Sequence, residues 1–261
     1  MGALVYEPCQ VEISTDISFN LDEISREIDL ILDNNEHDKD FNLDNVYRFG
    51  GSSGGSRPKA HIKDSDGYWI VKFPCRQDPA NCGEQEYTAN ALAKKCGILT
   101  NEFKLFPSAL CSGFFGAKRF DIVGTRRIHT VSLSSLLETT HRIPNLDYIH
   151  LFQVIQKICV NQNDLYEAYK RMCFNVLYGN KDDHGKNFAF IYDENVKGYS
   201  LSPAYDTTKT PFKSEHEMTV NGNGNPTGAD LLNIAKKLKL SQEKCASECT
   251  SIIENIKEVC G

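Results

Sequence analysis

Three polar residues around a short apolar hairpin constrain this chain more than any other feature. Asp182 precedes Asn187 by five positions, and Asp206 follows about one hairpin later. Phosphoryl transfer from ATP needs one carboxylate that orients a hydroxyl, together with an amide and a second carboxylate that hold Mg²⁺ on the phosphates. The acid-to-amide interval equals that of the kinase catalytic loop, although the His-Arg that precedes the acid there is absent here. The alternative for Asp206 is an ordinary turn acid.

Two further polar side chains, His184 and Lys186, lie between the acid and the amide. A transition-metal site made of Asp182, Asp183 and His184 is disfavoured, because three adjacent residues rarely converge on one ion. We interpret His184 as a hydrogen-bonding residue of the loop and include it among the candidate nucleotide-binding residues. Lys186 is a candidate catalytic residue that balances the carboxylates or contacts the γ-phosphate. Asp183 is expected to be a solvated neighbour.

A glycine-rich loop at residues 50–59 is the second strong feature, and it follows a predicted strand at residues 46–49. Its four glycines and three serines let backbone N–H groups approach phosphates closely. It is not a Walker A loop, because Gly55 is followed by Ser-Arg and the required Gly-Lys-Ser/Thr is absent. A flexible surface loop is the alternative interpretation. The candidate phosphate-binding residues are Ser52, Ser53, Gly54 and Gly55.

Lys72 lies within an apolar run, Trp69-Ile-Val-Lys-Phe73, that predicts a strand. A lysine buried in a central strand costs several kcal/mol unless its charge is paired. In a kinase the α/β-phosphates and a helix glutamate are its partners. Glu86 is the first candidate for that glutamate and Glu84 the second. The alternative is an edge strand from which Lys72 points to water.

Composition is that of an ordinary soluble globular chain of 261 residues, 40% hydrophobic and 25% charged. The net charge of −6 argues against a dedicated nucleic-acid-binding protein. Ten cysteines without zinc-ligand spacing are interpreted as reduced, structural thiols. An acidic stretch at residues 33–44 lacks the glycine and the closing glutamate of a calcium loop. No signal peptide and no membrane span are predicted.

The order of predicted elements gives an α+β fold with two lobes. Residues 1–45 form an N-terminal extension with a helix at 21–32, residues 46–124 a small antiparallel sheet with one helix, and residues 125–261 a mostly helical lobe. In the second segment we expect strands at residues 60–63, 68–73, 103–110 and 116–123 and a helix at 84–96. In the third we expect helices at residues 133–137, 146–159, 165–178, 229–238 and 242–259.

Six segments, in order and at sensible spacing between residues 46 and 210, resemble the HipA family of bacterial Ser/Thr kinases, known as toxins of toxin–antitoxin systems. No single segment is specific, but all six together are. The segments are the glycine-rich loop ending Arg57-Pro-Lys59, Trp69-Ile-Val-Lys-Phe-Pro74, Gln85-Glu-Tyr87 with Ala93-Lys-Lys-Cys-Gly97, Lys118-Arg-Phe-Asp121, Asn175-Val-Leu-Tyr-Gly-Asn-Lys-Asp-Asp-His-Gly-Lys-Asn-Phe188, and Leu201-Ser-Pro-Ala-Tyr-Asp206.

The resemblance implies a two-lobed protein-kinase-like fold with ATP and Mg²⁺ as cofactors. It implies that Asp182 is the catalytic aspartate, that Asn187 and Asp206 hold the metal, and that Lys72 contacts the ATP phosphates. Lys118 to Phe120 resembles the hinge whose backbone meets adenine. Ser52 corresponds to the family's inhibitory autophosphorylation site.

Only about 45 residues precede the first core strand, so we expect the N-terminal subdomain of full-length HipA to be missing. That favours the compact, HipT-like branch or a HipA-like secreted effector. The implied partners are a protein substrate, for example an aminoacyl-tRNA synthetase, and an antitoxin, without direct nucleic-acid binding. The expected location is the bacterial cytoplasm, or outside the cell by a signal-less route. A small-molecule or lipid kinase and a non-catalytic nucleotide-binding module are the alternatives.

Overall fold

The computed structural model describes residues 20–33, 57–140 and 144–261, with side chains of the first helix described through Asp29. The predicted strand at residues 46–49 and the glycine-rich loop before Arg57 lie outside the described residues. The chain divides into two compact units. Among described residues, the first unit contains 20–33, 57–88 and 101–126, and the second contains 89–100, 127–140 and 144–261.

The first unit is built on a four-stranded antiparallel sheet in the order β1-β2-β4-β3. Its strands are β1 (Lys59–Asp64), β2 (Gly67–Lys72), β3 (Phe103–Phe106) and β4 (Phe114–Lys118), with two short strands after them, β5 (Ile122–Val123) and β6 (Arg126–Arg127). Its helices are α1 (Leu21–Asp33) and α2 (Cys82–Lys95), the second of which continues into the residues of the other unit. β2 is therefore a central strand, with β1 on one side and β4 on the other.

One face of this sheet is buried because its strands alternate apolar and polar side chains. Ala60 and Ile62 of β1 are buried, as are Trp69 and Val71 of β2. The apolar stripe of α1 joins the same core, as its helical period predicts. The remaining buried members of this cluster are Leu21, Ile24, Ile28, Phe73 and Phe114.

Two strands end earlier than the sequence predicts. The strand expected over residues 103–110 ends at Phe106, because Pro107 has no N–H to donate. The Ser108 hydroxyl then closes a turn by accepting from the Leu110 N–H at 2.9 Å. The strand expected over residues 116–123 is divided into β4 and β5.

The second unit contains five α-helices and a 3₁₀ turn in its described residues. The helices are α3 (Leu133–Leu136), α4 (Tyr148–Ile158), α5 (Asn163–Tyr178), α6 (Gly228–Lys237) and α7 (Gln242–Cys260), and the turn is Gly185–Asn187. Three strands form an antiparallel sheet in the order β10-β9-β7: β7 (Thr130–Ser132), β9 (Ala189–Asp193) and β10 (Gly198–Leu201). Two short strands, β8 (Leu146–Asp147) and β11 (Met218–Thr219), pair in parallel.

Helix α5 supplies the centre of this unit's core, where Ala168, Tyr169, Met172 and Cys173 are fully buried. They recur at intervals of three and four residues, which is why one helix face is apolar. Within the described residues, no helix is both long and apolar enough to cross a membrane.

Helix α4 begins two residues later than predicted because Asp147 caps it. Its Oδ1 accepts from the Ile149 N–H at 2.9 Å, and its Oδ2 accepts from the Thr219 hydroxyl at 2.7 Å and the Gly222 N–H at 2.8 Å. Leu146 and Asp147 are thus used in the parallel pairing with β11 and not in the helix.

Candidate active site

In the first unit, a buried ion pair joins Lys72 of β2 to Glu86 of α2. The Lys72 ammonium donates to Glu86 Oε1, and the Glu86 side chain is only 2% exposed. Lys72 Nζ also lies 5.7 Å from the centre of the Phe115 ring. Lys72 lies in a central strand and pairs with Glu86, as the sequence predicted. The second candidate, Glu84, is exposed.

The residue that follows the glycine-rich loop, Arg57, contacts the same glutamate. Its Nη1 lies 3.7 Å from Glu86 Oε2, and its Nη2 donates to Asp78 Oδ1 at 2.8 Å. Asp78 in turn accepts from the Cys75 N–H at 2.9 Å. Burial lowers the pKa of Arg57, but Asp78 and Glu86 outweigh burial and leave that pKa raised. Both Glu86 oxygens therefore face cationic groups.

A close backbone approach at Gly83 positions Glu86. A Cβ at Gly83 would lie 2.2 Å from the Gly113 carbonyl oxygen, so only glycine permits this packing of the first turn of α2. Glu86 follows within one turn of the same helix.

The predicted hinge residues Lys118 and Phe120 lie at and just after the end of β4. The Lys118 N–H donates to the Glu102 carbonyl at 2.8 Å, and its carbonyl accepts from the Asn101 amide. The Arg119 N–H donates to the Tyr68 carbonyl at 2.8 Å. The adenine contact of this segment stays a prediction.

In the second unit, the catalytic segment starts where α5 ends. Gly179 caps the helix in the left-handed conformation, with a φ of 85°. The next residue, Asn180, donates from Nδ2 both to Asn175 Oδ1 and to the Asp206 carbonyl, each at 3.0 Å. One amide thus fixes the start of the Asp182 loop to the segment that carries Asp206.

Asp182 carries a half-exposed carboxylate that is engaged by a lysine from a later loop. Lys213 Nζ lies 2.5 Å from Asp182 Oδ1 and 2.6 Å from Glu217 Oε1. Burial lowers the pKa of Lys213, but its bonds to the two carboxylates outweigh burial and leave it raised. The Asp182 side chain is 42% exposed, so the carboxylate is open to solvent as well as to Lys213.

Asn187 and Asp206 line one small cavity of about 20 Å³, room for one water molecule or ion. Asn187 Nδ2 donates to the Asp182 carbonyl at 2.8 Å, which turns Oδ1 away from that carbonyl. Asp206, half-buried, adopts a φ of 54°, in the left-handed region. The acid, amide and acid predicted from sequence are therefore held within this unit, with the amide and the second acid on one cavity.

The donor set around this cavity fits a hard divalent cation. Three buried polar atoms on its wall have no hydrogen-bond partner in the part of the chain that the structure describes: the oxygens Asn180 Oδ1 and Thr207 Oγ1, and the donor nitrogen Arg171 Nη1. A hydrated cation would supply donors to both oxygens. No cluster of three His, Cys, Asp or Glu side chains suited to a metal occurs among the described residues. Mg²⁺ needs no such cluster, since one or two carboxylates and substrate phosphates suffice.

The sequence predicted that Asp183 would be solvated. In the structure its side chain is fully buried and hydrogen-bonded. Its Oδ2 accepts from the Tyr148 hydroxyl at 2.7 Å and lies 2.8 Å from His216 Nδ1, and its Oδ1 accepts from the Glu217 N–H at 3.0 Å. The Met218 N–H lies 3.4 Å from the same Oδ1. The expectation failed because these partners lie 33 to 35 positions away in sequence, on either side of Asp183.

Lys186 and His184 are placed differently from each other. Lys186 is exposed, and its carbonyl accepts from the Tyr205 hydroxyl at 2.6 Å. His184 is half-buried, and its carbonyl accepts from the Asn187 N–H at 2.9 Å. Their contacts with nucleotide stay predictions, as do those of Ser52, Ser53, Gly54 and Gly55, which lie outside the described residues.

Sequence reasoning missed Lys213, Glu217 and His216. They fall in residues 211–228, whose Gly, Asn and Pro content predicts a loop on the substrate side and no particular site residue. The i, i+4 spacing of Lys213 and Glu217 is informative only in a helix, and this segment is not helical, so no local signal marked them.

Comparisons with known proteins identify the family of the chain and its fold. A family model described as the HipA-like C-terminal domain matches residues 51–260. The chain belongs to this family. "Putative kinase Y4dM" of Sinorhizobium fredii is 26% identical over 213 residues, which are 74% of this chain and 51% of the relative. The chain thus spans about half the length of the curated relative it matches.

Two solved structures share the fold of this HipA-like chain. HipA of Shewanella oneidensis, determined in complex with HipB and operator DNA, superposes with a TM-score of 0.70 at 19% identity, covering 99% of this chain and 68% of HipA. The proinflammatory kinase CtkA of Helicobacter pylori has a TM-score of 0.53 at 16% identity, covering 80% and 89% of the two chains. The predicted α+β, protein-kinase-like fold is confirmed.

Proposed function

We propose that this chain is a Mg²⁺- and ATP-dependent serine/threonine protein kinase that phosphorylates itself at Ser52. Membership of a kinase-like family supports the general class. The acceptor type, the cofactors and the self-modification are the finer parts of the proposal.

The buried pair between Lys72 and Glu86 supports it most directly. A buried ion pair between a strand and a helix contributes little net stability, since the cost of desolvating both charges offsets much of their attraction. A role in nucleotide binding therefore explains the pair better than a role in stability does, since kinases use such a lysine on the α/β-phosphates. A lysine on an edge strand, pointing to water, would not have supported a phosphate-binding role.

The contacts of Asp182 support a separate role for each of its oxygens. Lys213 occupies Oδ1, which leaves Oδ2 to accept the hydrogen bond of an acceptor hydroxyl and orient its oxygen for attack. Lys213 holds the carboxylate in one orientation. As the hydroxyl proton leaves, Asp182 Oδ2 is the atom placed to receive it.

Asn187 Oδ1 and the Asp206 carboxylate are the groups that would hold Mg²⁺, with Lys72 on the α/β-phosphates of ATP. When bound, Mg²⁺ would neutralise charge on the β- and γ-phosphates. The backbone of Lys118 to Phe120 would contact adenine, and residues 50–55 would cover the phosphates. His184 and Lys186, which precede the proposed metal ligand Asn187 in sequence, would contribute to nucleotide binding and to catalysis, respectively.

The proposed partners follow from the family. A protein acceptor, such as an aminoacyl-tRNA synthetase, is the substrate we propose, and an antitoxin is a second partner. The HipA structure holds its HipB partner and operator DNA, and for this chain we propose contact with an antitoxin but not with DNA. The site of action is the bacterial cytoplasm, or outside the cell after export by a route that needs no signal peptide.

Transfer from radiolabelled ATP tests the proposal. The chain is incubated with Mg²⁺, with and without a generic protein acceptor, beside Asp182→Asn. Label on protein in the native chain only is expected. Label on a small molecule or lipid would replace the proposal with a kinase of that class, and no transfer with intact ATP binding would leave a nucleotide-binding module.

A further inference from the structure

Two cysteines of the second unit lie side by side on different helices. Cys173 of α5 and Cys249 of α7 have their Sγ atoms 3.2 Å apart, although they are 76 positions apart in sequence. The nine cysteines in the described residues are all thiols. Because both thiols lie on well-formed helices, this proximity is set by helix packing rather than by a loose chain end.

The two thiols differ in their access to solvent. Cys173 is fully buried, whereas Cys249 is half-buried. The Tyr169 hydroxyl lies 3.5 Å from Cys249 Sγ, so this sulfur has two polar neighbours within hydrogen-bonding distance, the Tyr169 hydroxyl and the Cys173 thiol. One accessible sulfur beside one enclosed sulfur is the arrangement of an attacked and a resolving cysteine.

The local chemistry favours Cys249 as the sulfur that reacts first. The hydrogen bond from Cys173 stabilises its thiolate, and although burial opposes this, Tyr169 adds a second stabilising bond. Together they lower the pKa of Cys249 to about 7. Burial raises the pKa of Cys173 well above its usual value. The thiolate is the nucleophile in both oxidation and exchange, so reactivity at neutral pH belongs to Cys249.

We propose that Cys173 and Cys249 form a reversible disulfide when the protein meets hydrogen peroxide. The Cys249 thiolate attacks one peroxide oxygen and breaks the O–O bond, which gives a sulfenic acid at Cys249 and hydroxide. The Cys173 sulfur then attacks the Cys249 sulfur and displaces the sulfenic oxygen, which leaves as water with the Cys173 proton. In total, two thiols and one peroxide give one disulfide and two waters.

The bond would link α7 to the helix that leads into the Asp182 loop. Cys173 lies two turns of helix before Gly179, where α5 ends. Oxidation at this pair therefore joins the C-terminal helix covalently to the support of the catalytic segment. This assignment does not depend on the proposed kinase activity, because its readout is the bond itself.

Peptide mapping of the oxidised chain tests the proposal. The protein is treated with hydrogen peroxide, unfolded with N-ethylmaleimide to trap the remaining thiols, and cut with trypsin without reductant. The expected product links the peptide of residues 172–181 to that of residues 245–257, with loss of two hydrogen atoms. Dithiothreitol should separate the two peptides again.

Variants decide which sulfurs form the bond, since Cys245 lies on the same tryptic peptide as Cys249. The linked product should persist in Cys245→Ser and in the control Cys260→Ser, whose exposed thiol lies at the end of the same helix. It should be lost in Cys249→Ser and in Cys173→Ala, with circular dichroism used to check that both remain folded. Persistence of the link in Cys249→Ser would assign it to Cys245 and overturn the proposal.

Peptide mapping of the peroxide-treated native chain also tests the proposal without any variant. Recovery of both Cys173 and Cys249 as maleimide adducts after peroxide would contradict the proposal. Recovery of Cys249 as sulfinic acid with Cys173 still free would contradict it as well, since a neighbouring resolving thiol should intercept the sulfenic acid first.

Discussion

Lys213 Nζ lies 2.5 Å from Asp182 Oδ1 and is the cation in contact with the proposed catalytic carboxylate. Because the same ammonium bonds Glu217 at 2.6 Å, it is held between two acids 35 residues apart. Lys186, the lysine expected from sequence to balance the carboxylates, is exposed.

Replacing Lys213 should therefore impair transfer. Lys213→Met is expected to lower kcat by about two to three orders of magnitude, the usual cost of losing one preorganised charge at a reacting centre. Lys213→Arg should restore part of the rate because it keeps the charge. Steady-state kinetics measure both, with Lys209→Met as the exposed control from the same loop. Equal rates for Lys213→Met and Lys209→Met would remove Lys213 from the mechanism.

Substitution of Asp182 or of Asp206 should abolish phosphoryl transfer, in each case for a different reason. Asp182→Asn and Asp206→Asn are each expected to lower the rate by about three or more orders of magnitude. Asp206→Asn should also weaken Mg²⁺-dependent ATP binding, whereas Asp182→Asn should largely spare it. Calorimetry of ATP binding with Mg²⁺ and with EDTA separates the two, and near-normal turnover in either variant would refute the assigned roles.

Loss of the lysine in the first unit should act on nucleotide binding. Lys72→Met removes the proposed phosphate contact and takes from buried Glu86 the ammonium that it accepts from, so KM for ATP should rise at least about tenfold. Lys63→Met is the matched control, since Lys63 is exposed on the adjacent strand β1. If both variants had the same KM, the nucleotide role of Lys72 would be wrong.

Self-modification is expected in the glycine-rich loop. A phosphoserine at Ser52 adds nearly two negative charges where ATP phosphates are proposed to bind, so phosphorylated protein should bind ATP poorly. Mass spectrometry after incubation with Mg²⁺ and ATP should find phosphate on the tryptic peptide of residues 49–59, and Asp182→Asn protein should lack it. An unmodified peptide in an active preparation would exclude Ser52.

Asp183 should matter for stability as well as for rate. Asp183→Ala leaves the buried Tyr148 hydroxyl, the His216 ring and the Glu217 N–H without their acceptor, which should lower the free energy of unfolding by about 3–5 kcal/mol. Urea denaturation measures this. A double-mutant cycle with Tyr148→Phe should give a coupling energy of about 1 kcal/mol or more, and strict additivity would mean that the two side chains do not interact.

The elements nearest to the chemistry were predictable from sequence because their signals are local. The strand around Lys72 follows from its apolar run, helix α5 from its period, and the loop from the spacing of Asp182 and Asn187. Asp183 and Lys213 were not predictable, since their partners are about 30 residues away in sequence and meet only through tertiary packing. The strand end at Phe106 was missed although the adjacent Pro107 signals it locally, whereas no proline marks the end of β4 at Lys118.

The backbone conformation at Asp206 limits which residue types this position can accommodate. A φ of 54° favours glycine, asparagine and aspartate over every other residue type. Of these three, only aspartate supplies a charged oxygen to a cation. Glycine or asparagine here would keep the backbone conformation and remove the charged ligand of the proposed metal site. A single conformationally neutral change would therefore convert the proposed kinase into a stably folded pseudoenzyme.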